Sequence, residues 1–482
     1  MDVAEITSAR YLVQDLAERE DWDIAEILCR RIVSSDRLRR VLLTKKSVED
    51  RSWPYRVLGC LALNKQEDSK AVEWFQTALR MASMDHQCWL GLGEAYYNCG
   101  RLDAAAKVLI HASGMIEDNP WEVNYLLGKV MSEMGSYEAA AGYLKNALAS
   151  SPIEECVVNL LYETMILSAE ALILQGFFGR AFAANLEAVE YLQLGVKTNQ
   201  KSQRLWKAVS DSLRLFLITQ DHAEDFPFDK FESIMLQAPS CETQFLLELS
   251  QKSVLKGNPQ NFNAKLANLS IEASQSAIRS LPLKLHKLLR SMSYFNVGLA
   301  YLEAFKLEPL EIGHREAAIF AIKKALQIEP TNATYWTALG NGFASLNPQI
   351  SQHCFIKASG LDSRDASIWS NLAALYLRYG DHELAEEAFL RALSVAPTES
   401  ASWVGHALAA QSAGKEATSS RLFTHAYILS NGRNPLAQLL YGLSVLNKRL
   451  QSGCDPRDVE AAQEFSVANF AMLNYRSERA HV

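Results

Sequence analysis

Trp369 and Trp403 stand 34 residues apart, and the chain between them obeys a positional rule. With Trp369 as position 4, Leu372, Tyr376, Gly380, Ala385, Phe389, Ala392 and Pro397 fall at positions 7, 11, 15, 20, 24, 27 and 32. The rule describes two helices joined by a turn. Small residues at 8, 20 and 27 let helices approach closely, and large ones at 4, 11 and 24 fill the space between them. Glycine at 15 can take the left-handed conformation that ends the first helix. Proline at 32 cannot continue the second. Such a pair cannot bury its apolar face alone, so it has to stack on copies of itself.

The copies are present. Tyr55, Leu58, Gly59, Ala71, Phe75 and Ala78 make one unit, and Trp89, Leu92, Gly93, Tyr96, Gly100, Ala105, Leu109 and Ala112 make the next. Leu127, Gly128, Gly135, Tyr137, Ala140, Leu144, Ala147 and Pro152 form a third. A fainter one holds Gly176, Phe178, Ala181 and Ala188 behind an unusually long first helix. Further on, Tyr294, Val297, Gly298 and Tyr301 open a unit that ends in Ala318, Ala325 and Pro330, with about eight extra residues expected between its helices. Trp336, Leu339, Gly340, Phe343 and Ala358 follow, then the Trp369 unit, then Trp403, Ala407, Gly414, Phe423 and Ala426. This is the tetratricopeptide pattern. It predicts an all-α tetratricopeptide-repeat solenoid, antiparallel helix pairs stacked in a right-handed superhelix, with a divergent helical middle.

Five segments are expected: divergent N-terminal helices over 1–50, a first array over 51–195, a divergent helical segment over 196–290, a second array over 291–432 and terminal helices over 433–482. Loop signals fall at Asp221–Phe228, at Gly257-Asn258-Pro259 and at Ser452–Asp455. The terminal helices are expected over Leu436–Leu450 and Pro456–Leu473.

Chemistry finds no foothold. No GxxxxGK[ST] loop, HExxH helix or GxSxG elbow occurs, so no catalytic, cofactor or metal site is expected. Gly91-Leu92-Gly93 lies inside a repeat helix and reads as packing. His382, between Asp381 and Glu383, falls on a turn between repeat helices. A net charge of −7 argues against a dedicated nucleic-acid binder. The eight cysteines include no CxxC pair, and Cys60, Cys88 and Cys354 lie in repeat helices, where a reduced thiol acts as a small hydrophobe. The most apolar stretch, Ala169–Ala184, is broken by Glu170, Gln175 and Arg180, so no membrane span is expected. These features predict a cytoplasmic protein, with the nucleus as the second compartment.

What remains is surface. Two basic patches, Arg37, Arg39, Arg40, Lys45, Lys46 and Lys284, Lys287, Arg290, interleave with aliphatic residues and read as solvated amphipathic faces. A minority reading gives them RNA phosphates or an acidic partner. Asn341 and Asn371 sit where a clamp for a C-terminal carboxylate would place asparagines. Thr337, Ala401 and Gly405 occupy the slots where its cations belong, so that clamp is incomplete. Candidate partner residues on the concave face are Gln87, Glu94, Tyr97, Asn341 and Arg378.

Three runs are more specific than the repeat rule: Ser52-Trp53-Pro54-Tyr55-Arg56, Glu73-Trp74-Phe75-Gln76-Thr77-Ala78-Leu79-Arg80 and Trp89-Leu90-Gly91-Leu92-Gly93-Glu94-Ala95-Tyr96. With Ala321–Pro330, Trp369–Tyr376 and Phe423–Tyr427, they resemble the scaffold-subunit family of the superkiller (Ski) complex. The resemblance implies a non-catalytic scaffold, without cofactor, that holds a DExH-box RNA helicase and WD-repeat subunits together. It would serve mRNA decay by the cytoplasmic RNA exosome, with weak or no RNA contact. Family members are longer at both ends, so the resemblance implies an internal or truncated portion. Their Gln-Arg-x-x-aromatic docking motif is not matched: Gln203-Arg204 is followed by Lys207 at the aromatic slot, and Trp206 comes one residue early. The competing reading is an independent adaptor that grips peptide segments of client proteins. A repeat arm of an enzyme is a third reading, but it lacks a catalytic domain.

Overall fold

A computed structural model describes residues 8–13, 15, 22–35, 49–115, 121–150, 154–219, 226–240, 243–252, 262–281, 287–307, 311–430 and 434–452. Among the described residues the secondary structure is helical, with no strand. Within each unit, helices paired in a repeat pack on one another, and second helices pack on the next first helix, as Asp68–Met81 does on Glu49–Asn64 and on His86–Asn98. The chain is an all-α tetratricopeptide-repeat solenoid. It divides into two compact units, Met1–Met165 and Ile166–Val482.

In the first unit the helix pairs are Glu49–Asn64 with Asp68–Met81, His86–Asn98 with Leu102–Gly114, and Trp121–Glu133 with Tyr137–Ser150. Missing side chains hold them together. The fully buried Phe75 lies between Gly59 of its own repeat and Gly91 of the next. A Cβ on Gly59 would come within 2.7 Å of the ring, and one on Gly91 within 2.4 Å. The position-8 glycines Gly93, Gly128, Gly298 and Gly340 lie the same way against Leu109, Leu144, Ile322 and Phe355, with 2.5–2.7 Å left for a Cβ. Ala71, Ala78, Ala105, Ala112, Ala140, Ala147, Ala385 and Ala392 are fully buried at the other small-residue slots.

Position 4 does more than fill space. Trp89, Trp336, Trp369 and Trp403 are only half-buried. Their indole N–H groups donate to the carbonyls of Ser83, Pro330, Ser363 and Pro397, at 2.8, 2.8, 3.4 and 2.8 Å, each six residues back. Each Trp thereby ties the turn that enters its repeat, where backbone carbonyls lack helical partners.

The same bond exposes a repeat in the divergent middle. The fully buried Trp206 donates to the Gln200 carbonyl at 2.8 Å. Its helix, Gln203–Ile218, pairs with Phe262–Arg279, which packs in turn on Lys287–Leu307. Two short helices, Phe228–Met235 and Gln244–Ser250, occupy the connection. Phe226 anchors it: its ring stacks on Phe231 at 5.3 Å and meets Phe216 and Phe262 edge-on at 5.1 and 5.8 Å. Part of the expected Asp221–Phe228 loop is therefore core. Gln203, read against a docking motif, donates to Ser293 Oγ at 2.9 Å.

Three expectations change. The extra residues of the Tyr294 unit lengthen its helices, Lys287–Leu307 and Ile312–Ile328, rather than the connection. Cys60 is exposed, whereas Cys88 and Cys354 are buried, and burial pushes the Cys354 thiol up to about 11. Among the described residues one helix, Glu155–Leu174, is long and apolar enough to cross a membrane, with mean hydropathy 1.6. Its Val157, Val158, Leu161, Tyr162 and Ala169 are fully buried, which accounts for that apolarity as core. The cluster at 37–46, Lys284, Pro152, Gly257-Asn258-Pro259, Gly453–Asp455 and Pro456–Leu473 lie outside the described residues.

The glycine contacts set a test. Gly405→Ala drives a Cβ to 2.3 Å from Phe389 and should cost about 1–3 kcal/mol. Gly142→Ala, with nothing within 4 Å in mid-helix, should instead stabilise by about 0.5–1 kcal/mol. Position 15 of the first repeat holds Gln66 at φ 59°, where Gly380 takes φ 87° in a later one. Gln66→Gly should therefore gain up to about 1 kcal/mol. Denaturant midpoints of the three variants check all three signs.

Candidate partner surface and its supports

Within each unit the first helices of successive repeats touch, so their outward residues form a strip. In the first unit Gln87 and Glu94 are exposed and Tyr97 is half-buried; in the second Asn341 and Arg378 are exposed. In the first unit the strip is internally bonded. The Tyr97 hydroxyl donates to Glu133 of the next first helix, and Lys129 Nζ sits 4.3 Å over its ring. Burial and the Glu133 carboxylate both push the Tyr97 phenol up. The structure thus joins Tyr97 to Lys129 and Glu133, which sequence reasoning had not singled out.

Asn341 and Arg378 belong to the second unit, on helices Ala333–Phe343 and Ala366–Tyr379. Around them the strip is made of hydroxyls and small residues. Thr337 Oγ1 donates to the Ala333 carbonyl at 3.0 Å, and Ser370 and Ser402 share a hydrogen bond of 2.7 Å. Asn371 is half-buried, Ala401 is exposed, and Gly405 is pressed on Phe389.

Several residues of the runs that carry the family resemblance act as supports, while Glu94 of the third run stays exposed. Asp85 caps helix His86–Asn98, accepting from the backbone N–H of Gln87 at 3.1 Å and of Cys88 at 3.4 Å. Its Oδ2 also takes Arg56 at 3.3 Å, Ser52 at 3.4 Å and Cys88 Sγ at 3.3 Å. Ser52 and Arg56 thus reach across a repeat boundary to one buried carboxylate. In the second run, Gln76 Nε2 donates to the Tyr96 hydroxyl at 2.8 Å. Gln352 does the same to Tyr376 at 2.9 Å, and Gln275 to Tyr301 at 3.1 Å. The available signal for Asp85 was a capping residue one position before a repeat helix.

His406 is a second residue the sequence reading passed over. It stands at position 7, which Leu58, Leu92, Leu127, Leu339 and Leu372 fill elsewhere. It is 8% exposed, with Nδ1 buried and unbonded, and Nε2 lies 3.7 Å from Glu386 Oε1. Burial holds its imidazole below 6.5, against the opposing pull of Glu386. Glu386 is held low chiefly by Lys415, at 2.8 Å.

Helix pairs, glycine contacts and Trp–carbonyl ties define a tetratricopeptide-repeat protein. Residues 57–109 and 366–399 match family profiles described as Tetratricopeptide repeat. Superkiller protein 3 of Saccharomyces cerevisiae is 29% identical over 480 residues, covering 98% of this chain and 33% of that protein. Superkiller protein 3 of Schizosaccharomyces pombe is 28% identical over 345 residues, covering 70% of this chain and 24% of that one. Superkiller complex protein 3 of Homo sapiens is 26% identical over 399 residues, covering 79% and 23%. The chain is a relative of these tetratricopeptide-repeat proteins and spans a third of their length or less.

Asp85→Ala removes a cap worth about 1 kcal/mol and a charge-assisted bond worth about 1.5–3 kcal/mol. Its unfolding free energy should drop by about 2–4 kcal/mol. His406 is favoured neutral in the folded chain, so its contribution is present above 6.5 and is lost as pH falls through the lowered folded value. His406→Leu should flatten that acid-side loss, read as unfolding midpoint against pH between about 7 and 5.

Proposed function

We propose that this chain is a non-catalytic protein-interaction scaffold that supports a DExH-box RNA helicase and WD-repeat subunits in a superkiller-type complex. In that role it works in the cytoplasm, serves exosome-dependent 3′–5′ mRNA decay through its partners, and itself touches RNA weakly or not at all. The observation that carries this reading is the similarity to superkiller protein 3 over 98% of the chain. The physical character of the molecule agrees with it. Its polar chemistry is spent on caps, turn ties and inter-repeat bonds, which leaves helix faces as the means of contact.

Co-expression with the host's superkiller-type helicase and WD-repeat subunits, followed by size exclusion, tests the reading. The chain should co-elute with the helicase, and RNA-dependent ATP hydrolysis should appear only when the helicase is present. A folded, soluble chain that elutes alone beside an assembled helicase and WD-repeat pair would sink it. Substituting Glu94, Asn341 and Arg378 together should weaken co-elution while leaving the unfolding midpoint within about 0.5 kcal/mol of the parent, as expected for exposed positions.

A further inference from the structure

Within the second unit, helices Gln203–Ile218, Phe262–Arg279 and Lys287–Leu307 line a partly open cavity of about 10 Å³. Its polar lining is Ser210, Asp211, Arg214, Ser270, Asn296 and Glu303. That volume has room for about one water. Two of the lining atoms are buried without a hydrogen-bond partner: Ser270 Oγ, on a side chain 1% exposed, and Glu303 Oε2. A buried hydroxyl and a buried carboxylate oxygen left unbonded are each costly, so the arrangement calls for something between them.

The charges narrow what that is. Arg214 Nη2 lies 3.4 Å from Glu170 Oε1, and its Nε lies 4.0 Å from Glu303 Oε1. One guanidinium therefore serves Glu170 and Glu303, with Asp211 beside them. Lys207 acts on Asp211 and Lys306 on Glu303. Helix Phe262–Arg279 sends Ser270 to the wall and no charge. Helix Ile312–Ile328, packed on Lys287–Leu307, turns His314 to Tyr301 and Arg315 over Phe305. Among the described residues no group of three or more His, Cys, Asp or Glu could hold a metal ion.

We propose that Glu303 is a proton-binding site at neutral pH. Its protonated Oε2 donates into the cavity, one water relays the bond to Ser270 Oγ, and loss of the proton loosens the three helices. Burial supports this by pushing the Glu303 carboxyl up to about 7, against Arg214 and Lys306. Asp211 acts in the same direction on Glu303 and is itself held high by burial. A carboxyl raised on folding binds more protons folded than unfolded, so stability falls as pH rises from 4.5 towards about 7 and levels off above.

The test is the unfolding equilibrium of the full chain against pH. Between pH 6 and 8 the wild-type unfolding constant should rise about tenfold through this group. Glu303→Gln, which keeps a neutral donor, should remove that rise, and Asp211→Asn should move it to lower pH. An infrared difference spectrum supplies a readout that a merely structural role would not move. A protonated-carboxyl stretch should fade over the same interval in the wild type and be absent from Glu303→Gln. A wild-type slope retained in Glu303→Gln would overturn the proposal. So would a wild-type spectrum without that band, and this arm decides the matter if the variant does not fold.

Discussion

A phenyl ring held between two absent side chains sets the geometry of the first repeats. Phe75 fits only because Gly59 of its own repeat and Gly91 of the next carry no Cβ. The first contact fixes how closely the two helices of a pair approach, and the second fixes how the next pair sits on them. Phe389 meets Gly405 of the following repeat in the same way, and Leu109, Leu144, Ile322 and Phe355 each meet a position-8 glycine. Close packing of this kind has no slack, since a single methyl at such a site exceeds the space available. The array is therefore a series of neighbour contacts, and its stability accumulates in one dimension.

Polar groups take the second place in that hierarchy and settle the turns. Trp indoles tie the entry turn of five helices, including the one beginning at Gln203. Asp85 gathers a helix end, a guanidinium, a hydroxyl and a thiol on one carboxylate. These bonds give the tryptophans and the Ser-Trp-Pro-Tyr-Arg run a structural role inside the repeats. Interior polar groups are costlier. Burial favours the neutral form of both His406 and Glu303, so the first weakens the fold as pH falls below 6.5 and the second as pH rises from 4.5 towards about 7.

The repeat core was legible because each slot has a narrow steric requirement: glycine or alanine at 8, 20 and 27, bulk at 24, a left-handed residue at 15. The second repeat of the first array could be written down residue by residue. The pair formed by Gln203–Ile218 and Phe262–Arg279 could not, because its two helices are separated by a connection holding Phe228–Met235 and Gln244–Ser250. Periodicity needs neighbours in sequence, and here the neighbours meet only in space. The candidate partner positions were legible only as exposed positions. That Tyr97 is bonded to Glu133 and covered by Lys129 depends on how adjacent first helices align, which a consensus for core slots does not encode.

By itself the sequence determined the class of fold, the register of most repeats and the absence of any recognisable catalytic motif, because these follow from local periodicity and residue size. Tertiary structure decided what the remaining polar residues do. Asp85 became a hub, Trp206 the mark of an interrupted repeat, and Glu303 a carboxyl facing a one-water cavity. Each of these roles arises where helices converge and bulk water is largely excluded, and there desolvation acts together with residue type to fix charge and bonding.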